Sequence, residues 1–226
     1  MYQRLAVYFV PTGSLGAFGA AWLGWDLVAG RMRVQPDDAG LDIARVTEAP
    51  RRYGFHATIK PPFRMRGRQT QDDVRDAFAG LCGRLHPVDI AGLRLTRMGR
   101  FLALAPEQSC PEVMDLASRV VRGLDRFRAP LSDAELARRQ KPGLTPDQAR
   151  HLREWGYPHV MDQFRFHITL TGRLDPQTRE AAEQMLRPRI AGVLPDPLRI
   201  DALTLVGEDA DGAFHAIDRR SLGAAA

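Results

Sequence analysis

Two short runs, Phe55-His-Ala-Thr-Ile59 and Phe166-His-Ile-Thr-Leu170, stand 111 residues apart in a chain of 226. A run repeated at half the chain length constrains the fold strongly, because each copy belongs to an equivalent unit. Their surroundings repeat as well. From His56 to Ile90, which opens the pattern Ile-x-x-Leu-x-Leu, is 34 residues, and from His167 to Ile200, which opens the same pattern, is 33.

The order of elements repeats around these runs. The first half opens with an apolar strand over 5–10, a turn holding Pro11 and Gly13, and a helical stretch over 15–28. A motif strand over 53–60 follows, stopped by Pro61-Pro62. Next comes an amphipathic helix over 70–85, with Val74, Phe78, Leu81 and Leu85 on one face. Asp72 and Asp73 suit its first turn, where the helix dipole favours negative charge. A strand over 88–98 closes the half. The second half has a strand over 101–105, a helix from Ser109 as cap to about 127, and a motif strand over 164–171. A helix over 176–186, with Pro176 in its first turn, precedes strands over 198–206 and 213–218.

This duplication predicts an α+β fold of two pseudo-symmetric lobes, each an antiparallel-rich sheet with helices on its outer face, around a central groove. Residues 1–98 form the first lobe and 99–226 the second, within one compact bilobal domain. Segment 129–163 has no counterpart in the first half and reads as an extra helical and loop segment across the surface.

Composition narrows the class. Hydrophobic residues make up 44% and charged residues 26%, so a chain of this length builds its own core without disulfide or metal staples. Cys82 and Cys110 are too few for a disulfide framework and read as reduced thiols. No apolar run reaches the roughly 18 residues that span a bilayer. The start, MYQRLAVYFVPTG, lacks the basic and apolar regions of an export signal, so the expected location is cytoplasmic. The net charge of +5 is spread along the chain, and 30 of the 32 basic residues are arginine. A basic balance favours an anionic ligand, but no basic stripe marks a nucleic-acid track.

Chemistry concentrates in the two motifs. His-x-Thr arises by chance about 0.3 times in such a composition, but two copies each flanked by Phe and an aliphatic residue do not. Strand alternation puts His56, Thr58 and Lys60 on one face and Phe55, Ala57 and Ile59 on the other. In the second copy Arg165, His167, Thr169 and Thr171 oppose Phe164, Phe166, Ile168 and Leu170. Each strand thus carries an apolar face for the core and a polar face for a groove. Two imidazoles near neutral pH can divide into a neutral base and a protonated acid, which suits in-line displacement at phosphorus. Threonine hydroxyls can donate to non-bridging phosphate oxygens, and Lys60 and Arg165 can add positive charge.

The paired His-x-Thr-hydrophobic motifs on a duplicated α+β scaffold resemble the 2H phosphoesterase superfamily, which includes bacterial 2′,5′ RNA ligases and cyclic nucleotide phosphodiesterases. Tyr53-Gly-Phe-His-Ala-Thr-Ile-Lys-Pro-Pro-Phe63 and the run from Trp155 to Gly172 are similar to a branch associated with phosphonate metabolism. The resemblance covers nearly the whole chain. It implies His56 and His167 as the acid/base pair and Thr58 and Thr169 as phosphate ligands; no cofactor and no metal are expected, since neither motif has further ligands beside it. Lys60 and Arg165 follow from the face argument alone, and Tyr8, on the expected neighbouring strand, is a further substrate-binding candidate. The implied partner is a small phosphorylated substrate or an RNA end, with no membrane and no obligatory protein partner. The resemblance to that branch implies a place near a pathway that makes a phosphoribosyl cyclic phosphate. The expectation is therefore hydrolysis of a small cyclic phosphodiester, with segment 129–163 closing over it and Arg138, Arg139 and Lys141 taking a second phosphate.

Other readings stand beside this one. RNA-end processing or 2′,5′ ligation would use the same acid/base pair. A metal hydrolase needs further ligands, and no His-x-His, His-Glu-x-x-His or carboxylate pair adjoins either motif. A non-catalytic RNA-binding protein fits the basic charge alone. His86, His151, His159 and His215 lack a paired motif and read as structural. Trp155 to Pro158 reads equally as a packed loop or a substrate-facing one. The Gly-rich stretch 13–19 has no following lysine or acidic partner of a nucleotide loop.

Overall fold

The computed structural model describes residues 2–38, 40–140 and 142–223. In chain order the elements are β1 (Arg4–Phe9), α1 (Gly13–Leu23), β2 (Trp25–Asp26), β3 (Arg31–Met32), α2 (Ile43–Val46), α3 (Glu48–Arg51), β4 (Ala57–Phe63) and α4 (Gln71–Cys82). They continue as β5 (Val88–Ile90), β6 (Leu93–Met98), β7 (Phe101–Pro106), α5 (Pro111–Gly123), α6 (Asp133–Arg139) and α7 (Pro146–Trp155). The last are β8 (Ile168–Thr169), α8 (Pro176–Ala191), β9 (Leu198–Ile200), β10 (Ala202–Glu208) and β11 (Phe214–Ser221). No helix among the described residues is long and apolar enough to cross a membrane.

The fold is α+β with antiparallel pairing, as the alternation of apolar strands and amphipathic helices predicts. The sheet arrangement differs from one sheet per lobe. Seven strands form one sheet in the order β11-β10-β1-β4-β8-β7-β6. Under the sequence repeat β1 corresponds to β7, β4 to β8 and β10 to β6, so the order reads the same from either side of the β4–β8 junction. Each half sends its late strand across to the other: β6 pairs with β7, and β10 pairs with β1. The division at residue 98 therefore does not divide the sheet. The exchange occurs because the strand over 88–98 breaks at Gly92 (φ +68°). This frees β5 to pair with β9, its own repeat counterpart, while β6 joins β7.

One face of the sheet carries the main core. Leu5, Val7 and Phe9 of β1 point into it, as do Phe55, Ala57 and Ile59 around β4 and Phe166, Ile168 and Leu170 around β8. Helices α4, α5 and α8 cover it through Val74 and Phe78, Leu116 and Val120, and Ala182 and Leu186. Burial of a side chain such as Phe78, with none of its surface exposed, contributes about 2–3 kcal/mol. The alternate residues of β1, Ala6, Tyr8 and Val10, turn to the opposite face and form a smaller cluster with Leu27, Val206 and Phe214.

Element ends depart from expectation where local chemistry competes with packing. Thr70 caps α4 in a reciprocal box with Asp73, so the helix begins at Gln71. Helix α5 starts at Pro111, a residue pre-set for a first turn, so Cys110 and not Ser109 takes the cap position. Helix α8 runs through Pro188 to Ala191 because Ile190 is buried in the core. The 13–19 glycines belong to α1, where Gly19 lies flat against Phe55: a Cβ there would fall 2.0 Å from the Phe55 ring. Strand β4 continues through Pro61 and Pro62, since β8 pairs with it only at Ala57 and leaves that edge without a donor to satisfy.

Candidate active site

The β4–β8 junction is what brings the two motifs together. Ala57 pairs with Ile168 in antiparallel register. Continuing that register one residue each way sets His56 across from Thr169 and Thr58 across from His167. Directly opposed residues in such a pair have Cβ atoms about 5 Å apart. Since Ala57 and Ile168 face the core, the two histidines and two threonines share the opposite face.

His56 is fixed from three sides. Gly54 adopts φ +72°, and a Cβ there would fall 2.4 Å from Leu27, so only glycine fits. The carbonyl of Gly54 accepts from His56 Nδ1 at 2.9 Å. With Nδ1 carrying the hydrogen, Nε2 of the neutral ring is an acceptor, and the Thr58 hydroxyl, 3.0 Å away, donates to it. The Tyr8 ring stacks on the imidazole with centroids 3.6 Å apart. Burial pushes the His56 pKa down to about 4, with the Gly54 hydrogen bond opposing and the His167 charge adding to the effect.

His167 repeats the arrangement. Its Nδ1 donates to the carbonyl of Arg165 at 2.8 Å, again two residues back, and so presents Nε2. The Phe101 ring lies beside it, with centroids 6.0 Å apart. Thr169 pairs with Ala103 of β7. The ladder of β8 is only two residues long, shorter than the strand over 164–171.

A cleft of about 880 Å³ opens over this face. Tyr8, His56, Thr58 and Thr169 line it, and His167 stands at its margin beside Phe101, which lines it too. Segment 129–163 supplies one wall: Arg138 and Arg139 from α6, Leu144, and Tyr157, Pro158 and His159 beyond α7. The loop after Trp155 thus divides by residue. Trp155 packs against Val121, Val160 and Met161, whereas Tyr157 and Pro158 face the cleft. Lys141 lies outside the described residues.

Two candidates from the face argument sit elsewhere. Lys60 is 2% exposed and lies on the core side. Tyr8 pairs with Thr58 but Val7 pairs with Lys60, so one extra residue in β4 makes a bulge and turns Lys60 over. Arg165 is exposed and does not line the cleft. Its charge and that of His167 act on His159, whose pKa is lowered chiefly by burial. Thr171 is buried, accepting from Leu102 N and donating to the Gly172 carbonyl.

The cleft also holds residues that motif reasoning passes over. His159 has no threonine partner and no repeat counterpart, so only the placement of α7 finds it. Tyr53, beside the first motif, and Arg4, paired with Glu208, line the cleft as well. Among the described residues no three His, Cys, Asp or Glu side chains are grouped to hold a metal ion.

The profile of a family described as "Protein of unknown function (DUF1045)" matches residues 58–215. The chain is 35% identical over 222 residues to a ribose 1,5-bisphosphate phosphokinase PhnN from Janthinobacterium sp. (strain Marseille), covering 93% of this chain and 48% of the relative. It is 34% identical over 176 residues to the like-named protein of Laribacter hongkongensis (strain HLHK9), covering 76% of this chain and 41% of that protein. The chain thus spans about half the length of the curated relatives it matches. Among solved structures it is similar to E. coli LigT in apo form, at 16% identity and a TM-score of 0.48, over 99% of each chain. It is likewise similar to E. coli LigT complexed with 3′-AMP, at 13% identity and a TM-score of 0.47, over 99% of this chain and 100% of that one.

Proposed function

Given that this chain belongs to the DUF1045 family, we propose that it hydrolyses a cyclic phosphodiester by two-histidine general acid/base catalysis, without a metal. The observation that carries this reading is the Ala57–Ile168 register, which sets His56 across from Thr169 and Thr58 across from His167 on the side of the sheet where the cleft opens. His56, held neutral by burial, takes the base's part: its Nε2 removes a proton from water as the water oxygen attacks phosphorus. His167 takes the acid's part and gives its Nε2 proton to the departing ester oxygen as that P–O bond breaks. The products are a phosphomonoester and a free hydroxyl. Thr169 donates to a non-bridging oxygen as its charge redistributes, and Thr58 does the same once its hydroxyl hydrogen has turned from His56 Nε2 to the phosphate, leaving that nitrogen free for the water proton.

The substrate class follows from the wall opposite. Arg138 and Arg139 face the cleft and suit a second phosphate, as on a ribose cyclic phosphate that also bears a terminal phosphate. The name of the PhnN relatives motivates a phosphorylated ribose. Their kinase activity is not carried over, since neither Lys60 nor Lys141 follows a Gly-x-x-x-x-Gly loop that would cradle a nucleotide. A second reading, processing of an RNA end, is favoured by the Tyr53, Phe101 and Tyr157 rings at the cleft, which could stack bases.

A screen of cyclic phosphodiesters with and without chelator tests the proposal. Turnover should be indifferent to EDTA, and His56→Ala or His167→Ala should each lower kcat by about 10²–10⁴. Activity abolished by EDTA and restored by zinc would overturn it.

A further inference from the structure

Lys60 belongs to the first motif strand yet faces away from the cleft. Its ammonium donates to the Val121 carbonyl near the end of α5 at 3.1 Å and lies 3.4 Å from Asp125. That carboxylate is shared: it accepts from Arg128 Nε at 2.7 Å and from Arg128 Nη2 at 3.1 Å. The same guanidinium donates to the Glu154 carbonyl at 2.7 Å and lies against Gly156, where a Cβ would fall 3.1 Å from it. Gly156 (φ +74°) ends α7, and from it the chain runs directly into the Tyr157–His159 wall. Arg139 donates to the Gly156 carbonyl at 2.7 Å. Lys60, Arg128, Gly156 and Tyr157 line one small gap of about 20 Å³, room for one water.

Burying an ammonium beside a carboxylate that a second cation already occupies contributes little net stability, and a methionine of similar volume would fill the space without desolvating a charge. What the chain of contacts supplies is geometry. We propose that Lys60 is a positioning residue: through Asp125 and Arg128 it ties β4, which carries Thr58, to Gly156, and so sets the spacing between the two-histidine floor and the Tyr157–His159 wall. The catalytic consequence rests on the phosphodiesterase reading, whereas the spacing itself does not.

A wall that binds the part of the substrate remote from phosphorus acts equally on ground and transition states, so its loss raises KM and leaves kcat. Lys60→Met and Arg128→Gln break the relay at its two ends. In each, amide hydrogen exchange over residues 152–160 should quicken about tenfold while β7 stays protected. With a cyclic phosphodiester that is turned over, KM should rise roughly tenfold with kcat within about threefold. Unchanged exchange over 152–160 in either folded variant overturns the proposal, as does a fall in kcat at constant KM, which would make Lys60 part of the chemistry. If Lys60→Met does not fold, Arg128→Gln decides alone, and failure of both to fold also overturns the positioning role. If no phosphodiester is turned over, the phosphodiesterase reading fails while the exchange measurement still decides the relay.

Discussion

Tyr8 lies flat on His56, with ring centroids 3.6 Å apart and 21° between the planes, and Tyr8 itself is fully buried. The phenol ring keeps water from one face of the imidazole, and burial is the main reason that the His56 pKa lies at about 4. A base with that pKa stays unprotonated well below neutrality. The acid limb of kcat/KM that belongs to His56 is therefore expected near pH 4. Tyr8→Leu admits water to the ring and should move that limb up toward the ordinary histidine value of about 6.5. Activity at pH 5 should then fall in the variant while activity at pH 8 changes little. The same shift acts on stability. The unfolded chain binds the His56 proton more readily than the folded one between about pH 4 and 6.5, so stability rises with pH across that window. An unmoved limb in Tyr8→Leu would show that the stack does not set the titration.

The two threonines are expected to differ. Thr58 donates to His56 Nε2 at 3.0 Å, and the described contacts give Thr169 no equivalent bond to His167. Both Thr58→Val and Thr169→Val remove a hydroxyl from the cleft and should weaken transition-state binding by about 1.5–3 kcal/mol if that hydroxyl meets a charged oxygen. Only Thr58→Val should also alter the pH profile, because it frees His56 Nε2, the nitrogen proposed as the base. Unchanged kcat/KM in both variants would show that the hydroxyls do not meet the substrate.

Gly54 couples backbone conformation to the site. At φ +72°, with Leu27 2.4 Å from any Cβ, Gly54→Ala should destabilise the fold by about 2–4 kcal/mol. Its carbonyl also holds His56 Nδ1, so residual folded protein should show a raised KM or lowered kcat beyond the loss in stability. Urea unfolding measured beside steady-state kinetics separates the two effects.

How far the sequence carries depends on which signals are periodic. Phe55, Ala57 and Ile59, and Phe166, Ile168 and Leu170, reach the core as strand alternation dictates, and His56, Thr58 and Thr169 reach the cleft by the same rule. Lys60 obeys the alternation in sequence and breaks it in space, since a bulge inserts one residue with no compositional mark. The exchange of β6 and β10 between halves was equally hidden, because strand pairing over such distances is set by the whole sheet and not by any local pattern. His159 escaped for a different reason. It lies in the segment without a repeat, where there was no second copy against which to weigh it.

Arg139 gives the sharpest test of substrate size. Its guanidinium is half-buried, and among the described residues it forms no ion pair within 4 Å, donating only to the Gly156 carbonyl. Burial holds its pKa below the usual guanidinium range, though it remains a cation. A partly desolvated cation that feels the charge of Glu135 but is not paired with it is poised to gain from an anion that enters the cleft. If that anion is a second phosphate on a small cyclic phosphate, Arg139→Gln should raise KM about 10- to 100-fold, as expected for losing a charged hydrogen bond. A sugar cyclic phosphate lacking the second phosphate should be affected by no more than about threefold, since it never met the guanidinium. Parallel KM measurements on the two substrates read the difference directly. Equal losses on both would place Arg139 at the reacting phosphate or in the wall's architecture, and the second phosphate would have to be withdrawn from the substrate. Preference of the unaltered protein for an RNA oligonucleotide ending in a cyclic phosphate, with the small sugar ignored, would instead assign the arginine wall to the nucleic-acid backbone.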